Sequence, residues 1–557
     1  MNLAKTILTG SVFALIGVTT ASAADTYVHI TGATAFRSPA ITAIKTYLTT
    51  TYGGYTCIYG NRTGVTSENN AGVAAFVANG TIGSGTAVII KCSWGGSVGG
   101  VKLIQSTTTF NIDSQPGVPG WIPDLALSSV TVGTTFAGAQ TGTATSDTIT
   151  GQDTVARAFV FGGTAPKPDA AFTDSYQSTA LGGLAGDAVS PIADTDGKVG
   201  IIPFNWVISN GVTGASVTQF TGVSYSSGSS TINFTGSNGA ALAGIDGKTI
   251  GGKGIPIGTT ITSHTASTIS ISPAVTTSAH NGSPTATTIS CADTAVPPFS
   301  NITQNQSLQV ILGGARLSMF TGVSGDSTTG VYAYGRNADS GTRISCLGES
   351  GRGVTKNPGA HIFPTFLPAG SGSGKGGAPG AVVQTIAKWP TETVLTVFYS
   401  FGAGGYASGG DLSGALSSPG AQTSTADNAG GDSLSGRPGW VIGYVGRSDA
   451  SAACATTFGQ NTAKRLTFCS ERDWLGTTFN DDGSPVSGFD DTKVREGVYS
   501  LWEYEHFYRS VNASAAAQAI LTALGNSITS AAAPSGSISL VGMNVSRSVE
   551  GGAISHN

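Results

Sequence analysis

The hydrophobic pattern of the chain alternates between apolar runs and segments with helical spacing. Tyr27–Thr31, Val88–Cys92 and Val199–Ser209 have the length and apolar content of buried strands. Three segments have helical spacing. The first is opened by Ser38 as N-cap and Pro39 as first helical residue, and has Ile41, Ile44 and Leu48 on one face. The others are Thr303–Leu312 and Asn512–Leu524, the latter with Asn512 as cap. Strands that alternate with helices predict an α/β fold.

Residues 212–292 interrupt this alternation. They are rich in Ser, Thr, Gly, Ile and Val and contain few helix-forming residues. Within them, Thr259–Ser272 alternates polar and apolar residues in places, which is typical of strands with one buried face. We therefore predict a β-rich insertion in an α/β chain.

The first residues have the pattern of a secretory signal peptide. Lys5 supplies a positive charge, Ile7–Val18 is mostly apolar, and Ala21-Ser22-Ala23 is a small-residue cleavage site, cut after Ala23. The apolar run is shorter than the roughly 18 residues that cross a bilayer, and no later run reaches that length. We expect an exported protein without a membrane span, either periplasmic or secreted to the cell surface.

Charge and composition narrow the possible partners. The 557 residues include 27 Lys and Arg and 31 Asp and Glu, a net charge of −4, without a basic run, which argues against nucleic acid. The 39% of hydrophobic residues favours a packed core over disorder. The histidines and cysteines show no metal-binding spacing, so we expect neither a metal nor another cofactor.

Six cysteines in an exported chain favour disulfide bonds. Closeness along the chain is the guide to their pairing, because a sequence does not fix connectivity. It predicts the bridges Cys454–Cys469 and Cys57–Cys92, and by elimination Cys291–Cys346.

The segment Val331–Arg343 joins a short apolar run to a turn rich in hydrogen-bond donors and a predicted helix start. Arg336, the Ser340 hydroxyl and nearby backbone N–H groups could converge on one small anion, since a helix N-terminus carries unpaired N–H groups and a partial positive charge. Gly341 allows close approach of the backbone, and Thr342 adds a hydroxyl. A Ser-Gly-Thr sequence is most often only a turn, so the interpretation depends on other segments.

Short motifs outside the insertion accompany this turn in a fixed order. They are TGATAFRSP at Thr31–Pro39, SWGGSVGG at Ser93–Gly100, DAAFTD at Asp169–Asp174, the apolar run at Ile201–Gly211, Arg336–Thr342, VIGY at Val441–Tyr444 and EGVYSL at Glu496–Leu501. Together they resemble the substrate-binding proteins of bacterial phosphate ABC transporters, within the type II periplasmic binding protein class. The resemblance covers most of residues 26–510.

This resemblance implies two α/β lobes that close over an oxyanion, held by helix N-termini and hydroxyl groups. The first lobe would be discontinuous, with residues 24–200 and 443–557. The second would comprise residues 201–442 and carry the β-rich insertion, and residues 1–23 would be the signal peptide.

The ligand positions that the resemblance implies are Ala35, Phe36, Ser97, Asp174, Arg336, Ser340, Gly341 and Thr342. Asp174 has the clearest chemical meaning, because a carboxylate repels a bound anion unless the anion donates a proton; it would favour hydrogen phosphate over sulfate. Ala35 stands where the family has a hydroxyl residue, and Ala338 where the family has an acidic residue.

Two groups of aromatic and polar residues have simpler interpretations. Phe36 is expected to pack in the core, so its backbone is the candidate ligand group. Tyr504-Glu505-His506 invites an acid–base interpretation, but spacing places no second carboxylate or nucleophile beside it, and we interpret it as a partly buried polar cluster.

The sequence therefore predicts reversible capture of phosphate or a related oxyanion, without catalysis, for delivery to an ABC permease. One alternative is a structural or adhesive surface protein that reuses the scaffold and contacts another surface component through the insertion. A secreted enzyme acting on phosphoryl groups is a third hypothesis, disfavoured because no nucleophile–base pair is visible.

Overall fold

A computed structural model gives the fold of a large part of the chain. The structure describes residues 24–60, 73–80, 84–105, 135–136, 168–180, 189–191, 197–213, 218–226, 228–237, 242, 244–251, 255, 259–275, 287–292, 297–336, 340–354, 364–368, 384–388, 406, 408–417, 439–455, 463–480, 482–530 and 536–557. The predicted signal peptide lies outside these residues. Among them, no helix is both long enough and apolar enough to cross a bilayer.

Strands and helices alternate through most of the described residues. The strands are β1 Thr26–Gly32, β2 Thr56–Gly60, β3 Val73–Ala78, β4 Val88–Ser93, β5 Thr135–Phe136, β6 Ala170–Thr173, β7 Val189–Pro191, β8 Lys198–Thr213, β9 Thr218–Val223, β10 Thr231–Asn233, β11 Gly236–Ser237, β12 Thr249–Gly251, β13 Thr260–His264, β14 Thr268–Ser272, β15 Thr287–Ala292, β16 Asn301–Ile302, β17 Ala315–Arg316, β18 Gly330–Tyr334, β19 Pro364–Pro368, β20 Gln384–Lys388, β21 Gly439–Gly446, β22 Lys464–Phe468, β23 Trp502–Ser510, β24 Val545–Ser546 and β25 Ser555–His556. The helices are α1 Arg37–Tyr52, α2 Ser97–Gln105, α3 Gln177–Ala180, α4 Gln304–Gly313, α5 Ser318–Thr321, α6 Gly341–Glu349, α7 Gly409–Ser417, α8 Arg447–Cys454, α9 Asp491–Arg495 and α10 Ala515–Ser530, with a 3₁₀ turn at Ser324–Thr328.

A large mixed sheet lies at the centre of the α/β part. Within the described residues it has 14 strands, ordered β17-β18-β21-β8-β23-β6-β1-β4-β3-β2-β5, with β7, β16 and β22 attached beside this path. Pairs such as β1–β4, β1–β6 and β18–β21 are parallel, and pairs such as β6–β23 and β8–β21 are antiparallel. The protein is therefore a mixed α/β structure, as the sequence pattern predicts.

Strand β8 joins the two halves of this sheet. Its first part pairs with β23, where Gly200 lies opposite Glu505. Its second part pairs with β21 on one side and β22 on the other, where Trp206 lies opposite Tyr444 and Leu466. The strand is covered on both faces, which explains why its sequence is almost continuously apolar.

Two predicted helix caps are wrong by a few residues. Helix α1 has Phe36 as its N-cap, without a side-chain capping bond, whereas Ser38 was the predicted cap. Helix α10 begins after Ser514, whose hydroxyl accepts a hydrogen bond from the N–H of Ala517, whereas Asn512 was the predicted cap. Each helix has its cap two residues from the predicted position, a difference that is common at helix ends.

The segment predicted to be β-rich forms a sheet of its own. Seven strands pair in the order β10-β14-β13-β12-β15-β9-β11, and the pairs are antiparallel. Their inward side chains, including Phe220, Ile232, Ile261 and Ile269, form an apolar cluster distinct from the cluster of the central sheet. This sheet follows β8, which continues to Thr213.

The predicted disulfide bonds are not formed by the five cysteines whose side chains the structure describes. Cys57 lies on β2 and Cys92 on β4, with β3 between them. Two strand spacings separate the backbones by about 10 Å, beyond the roughly 7 Å limit for Cα atoms in a disulfide. The predicted pairing is therefore wrong, because closeness along the chain does not reveal that a strand lies between the two cysteines.

The Cys454–Cys469 pairing fails for a similar reason. The N–H of Ala463, at the start of β22, donates to the carbonyl of Ala453, so Cys454 adjoins that end of the strand. Cys469 follows the other end of β22, about 20 Å away at the rise of an extended chain. Cys346 is a buried thiol in α6 and is not bridged; the side chain of Cys291 lies outside the described part.

Candidate functional site

The carboxyl ends of β1, β4 and β6 meet the carboxyl end of β18. Each of these strands leads into a loop or a helix N-terminus, the part of an α/β sheet where ligands usually bind. Gly32 ends β1 in the left-handed region, with φ of 122°, and a Cβ there would lie 1.8 Å from the carbonyl oxygen of Phe172. Glycine at this position therefore lets β1 and β6 approach closely below the site.

Asp174 lies at the centre of this arrangement. It follows β6, is fully buried, and accepts hydrogen bonds from the hydroxyls of Ser97 at the start of α2 and Thr342 in the first turn of α6, the latter at 3.0 Å. A Cβ on Gly341 would lie 1.8 Å from Oδ1 of Asp174. The carboxylate therefore sits directly against the N-terminus of α6, where a helix holds an anion.

Arg336 supplies positive charge beside this carboxylate. It is 3% exposed; its Nε donates to the carbonyl of Tyr406 at 3.0 Å, and its Nη2 donates to the Thr34 hydroxyl at 3.3 Å. These contacts hold the guanidinium between the end of β18 and the end of β1. Thr34 and Tyr406 are not among the site residues predicted from the sequence. Thr34 directly precedes Ala35, so a hydroxyl is present one residue before the position where the family has one.

Burial and hydrogen bonding act in opposite directions on the pKa of Asp174. Burial raises it above its ordinary value, while the Ser97 hydroxyl, the Arg336 charge and the Thr342 hydroxyl lower it. Burial is the largest of these effects, so the pKa of Asp174 is raised overall, and the three donors offset part of the cost of a charged carboxylate in a place from which water is excluded.

The remaining predicted residues lie near this centre with different roles. Ser340 caps α6, because its hydroxyl accepts from the N–H of Arg343 at 3.3 Å. The Phe36 ring packs in the core, 5.4 Å from the Phe172 ring. Helix α1 begins at the next residue, and its N-terminus has no side-chain cap. Ala35 is partly exposed and adjoins Gly446. The structure thus brings together Ser97, Asp174, Arg336, Ser340, Gly341 and Thr342, with the backbone of Ala35 and Phe36 at the edge.

Glu505 is a second buried carboxyl near Asp174. On β23, His506 lies opposite Thr173 of β6, so continuing the register by one residue places Glu505 opposite Asp174. Two pairs away from Glu505 and Asp174, the rings of Phe507 and Phe172 stack at 4.1 Å. Because side chains of a strand alternate between the faces, Glu505 and Asp174 lie on the same face as these two rings. Sequence alone could not reveal this pair, because it depends on the register of strands that are more than 300 residues apart.

Glu505 has an unusual environment for an acidic residue. It is fully buried, and neither carboxyl oxygen has a hydrogen-bond partner among the described residues. Burial, and then the charge of Asp174, raise its pKa well above the ordinary value. The neighbouring Tyr504 and His506 point to the opposite face of β23, where their rings form a ladder with Tyr508. The predicted polar cluster is therefore divided between the two faces of the sheet.

The described residues contain no group of three or more His, Cys, Asp or Glu side chains arranged to hold a metal ion. The groups that the structure places at the site offer hydrogen bonding and charge. A guanidinium, the N-terminus of α6 and several hydroxyls provide donors, and two buried carboxyls provide acceptors or a proton.

No model of a known protein family matches the chain, and no curated protein matches it. Among solved structures, one similar chain is described as a phosphate ABC transporter substrate-binding protein with bound phosphate, from Clostridium perfringens. The two chains share 7% identity with a TM-score of 0.33, and the alignment covers 92% of this chain and 99% of the other. At this level the similarity supports no conclusion about fold or function, and the interpretation depends on the geometry of the site.

Proposed function

We propose that this protein binds phosphate or a related protonated oxyanion reversibly, outside the cytoplasmic membrane and without catalysis, and delivers it to an ABC importer. The observation that carries the proposal is the convergence of Arg336 and the N-terminus of α6 on the buried carboxylate of Asp174. Ser97 and Thr342 complete the set of donors around it. Such a concentration of donors in a buried place is suited to an oxyanion.

Asp174 gives the site its selectivity. Its two oxygens offer about four lone-pair positions, of which the Ser97 and Thr342 hydroxyls use two. The remaining positions can accept a proton from hydrogen phosphate. Sulfate has no proton to donate at neutral pH, so it would meet the carboxylate with repulsion alone.

The two-lobed arrangement is part of this proposal. The contacts from Thr342 to Asp174 and from Arg336 to Thr34 link residues of the segment 24–200 with residues of the segment 201–442. In the proposed arrangement these contacts hold a first lobe, with residues 443–557 as its return segment, closed against a second. Export is proposed from the signal-peptide pattern before Ala24.

The test is titration of the purified full chain by calorimetry, after any bound anion has been removed by unfolding and refolding. We expect tight binding of phosphate and much weaker binding of sulfate. Native mass spectrometry of protein purified without stripping should show a bound mass equal to that of phosphate. Equal and weak heats for the two anions would overturn the proposal.

A second candidate function is that of a structural or adhesive surface protein. The observation that favours it is the seven-stranded sheet at residues 218–292, which has its own apolar core and contains none of the residues of the proposed anion site. Replacement of residues 214–296 by a flexible Gly/Ser linker separates the two functions. Retained anion binding would support the binding protein, whereas loss of surface attachment alone would support adhesion by the sheet.

A further inference from the structure

We propose that Glu505 is a ligand-binding residue of the anion site, and that it holds the anion as a neutral acid that donates its proton in a hydrogen bond to an anion oxygen. The inference rests on the proposed function and adds to it a requirement on the ligand.

The position of Glu505 follows from strand pairing on both sides of β23. On one side the pairing of β6 with β23 ends at Thr173 and His506, and Asp174 and Glu505 are the next residues beyond that pair; on the other side Glu505 lies opposite Gly200 of β8. A Cβ on Gly200 would lie 3.3 Å from the Phe36 ring, so Phe36 covers the β8 side. Glu505 is therefore bounded by an apolar ring on one side and by the Asp174 carboxylate on the other.

The two carboxyls have different partners although they are neighbours. Asp174 accepts from two hydroxyls and lies near the Arg336 guanidinium, all of which favour its charged form. Glu505 has no such partner among the described residues. The charged group that acts on Glu505 is Asp174, while β8 and the residue before α1 present the uncharged Gly200 and Phe36.

A buried carboxyl beside a charged carboxylate keeps its proton, because two like charges cannot both persist without water. The neutral acid is then a hydrogen-bond donor without an acceptor, which is rare for a buried polar group. Because Asp174 makes no hydrogen bond with Glu505, the pair does not satisfy itself. An anion held by Arg336 and the N-terminus of α6 would supply the missing acceptor.

This arrangement defines the chemistry of the ligand. The anion must accept a hydrogen bond from Glu505 and donate one to Asp174, so it must be a tetrahedral oxyanion that retains at least one proton. Hydrogen phosphate and hydrogen arsenate meet this requirement. Sulfate and phosphodiesters, which have no proton to donate at neutral pH, do not.

The proposal predicts a different response to two substitutions of the same residue. Glu505→Gln keeps a donor without a titrating proton, and phosphate affinity should stay within about threefold of the parent near neutral pH. Glu505→Ala removes the donor and should weaken phosphate at least about tenfold. Glu503→Gln serves as the control, because Glu503 is a buried carboxyl of the same strand whose partners are Arg547 and the N–H of Gly551.

The decisive measurement is phosphate binding by calorimetry across pH, in two buffers with different heats of protonation. With rising pH, parent protein should bind more weakly and take up an additional proton per anion, because Glu505 must be reprotonated. Glu505→Gln should lack this additional uptake, while the titration of phosphate itself is common to all variants. Thermal unfolding of each variant confirms that it is folded.

The outcomes separate this inference from the proposed function. A parent protein that does not bind phosphate overturns both. Phosphate binding that is unchanged in Glu505→Ala, or proton uptake that is the same in parent and Glu505→Gln, overturns the role of Glu505 and leaves the proposed function intact. A loss of affinity in Glu503→Gln equal to that in Glu505→Ala would show that any lost buried carboxyl has this effect.

Discussion

The substitution Gly341→Ala tests the closest contact in the site. A Cβ at this position would lie 1.8 Å from Oδ1 and 2.8 Å from Cγ of Asp174, and 3.0 Å from Cβ of Ser97. Ordinary van der Waals contact begins at 3.4 Å, so the carboxylate would have to move by about 1.6 Å, the difference between 3.4 and 1.8 Å. A movement of this size would break its hydrogen bonds to Ser97 and Thr342.

The magnitude follows from those two bonds. A hydrogen bond to a charged group contributes roughly 1.5–3 kcal/mol, and a displaced Asp174 can recover part of this by taking up a proton. Gly341 is outside the left-handed region, so alanine is compatible with its backbone, and the higher helix propensity of alanine returns at most about 1 kcal/mol. We expect a net loss of about 2–4 kcal/mol in the free energy of unfolding and at least about tenfold weaker phosphate binding.

The assay is urea unfolding together with phosphate calorimetry. Gly325→Ala is the control, because Gly325 lies in the 3₁₀ turn Ser324–Thr328, is likewise outside the left-handed region, and a Cβ there meets no atom within 4 Å. It should change stability by less than about 0.5 kcal/mol. If Gly341→Ala proved as stable as the control and bound phosphate as the parent does, the placement of Asp174 against α6 would be wrong.

Three further predictions concern charge. Arg336→Ala should weaken phosphate and sulfate alike, by roughly 1.5–3 kcal/mol in calorimetry, since any oxyanion uses the guanidinium; a loss confined to phosphate would contradict this role. Asp174→Asn should reduce the ratio of phosphate to sulfate affinity more than it changes phosphate affinity, and a competition titration in which the ratio stays constant would refute the selectivity argument. Burial raises the pKa of Glu550 from 4.5 to about 7, so the folded state binds this proton more tightly than the unfolded chain does. The proton therefore stabilises the fold fully below the unfolded pKa, and this contribution is lost as pH rises to about 7. Glu550→Gln should therefore flatten the urea-unfolding stability between about pH 4.5 and 7, and an unchanged slope would show that other groups cause it.

The sequence predicts those elements of the fold that are determined by neighbouring residues in the chain. The apolar run at Val199–Ser209 indicates a strand buried on both faces, and the structure has β8 there. Thr303 and Gln306 form a reciprocal capping box at the start of α4, within a segment whose spacing predicts a helix. In these cases neighbouring residues alone decide the conformation.

Features that depend on strand register, or on contacts between residues far apart in the chain, could not be predicted from the sequence. Cys57 and Cys92 are near each other in the chain, yet β3 separates them, and the predicted bridge is wrong. Adjacency in the sequence groups Glu505 with His506, although the acidic residue whose charge raises the pKa of Glu505 is Asp174, more than 300 residues away in the chain. Spacing along the chain carries no information about which strands become neighbours in a sheet.

Because β8 is one strand shared by both halves of the central sheet, it couples them mechanically. Rotation of one half against the other would have to be absorbed as torsion along this strand. A loop hinge concentrates rotation in a few dihedral angles, whereas a paired strand distributes it over many small changes. Pro203, with its fixed φ, lies where the pairing passes from β23 to β21 and stiffens that point. Twisting of β8 therefore opposes rotation of one half of the sheet against the other, which favours small, reversible rotations over a large hinge movement.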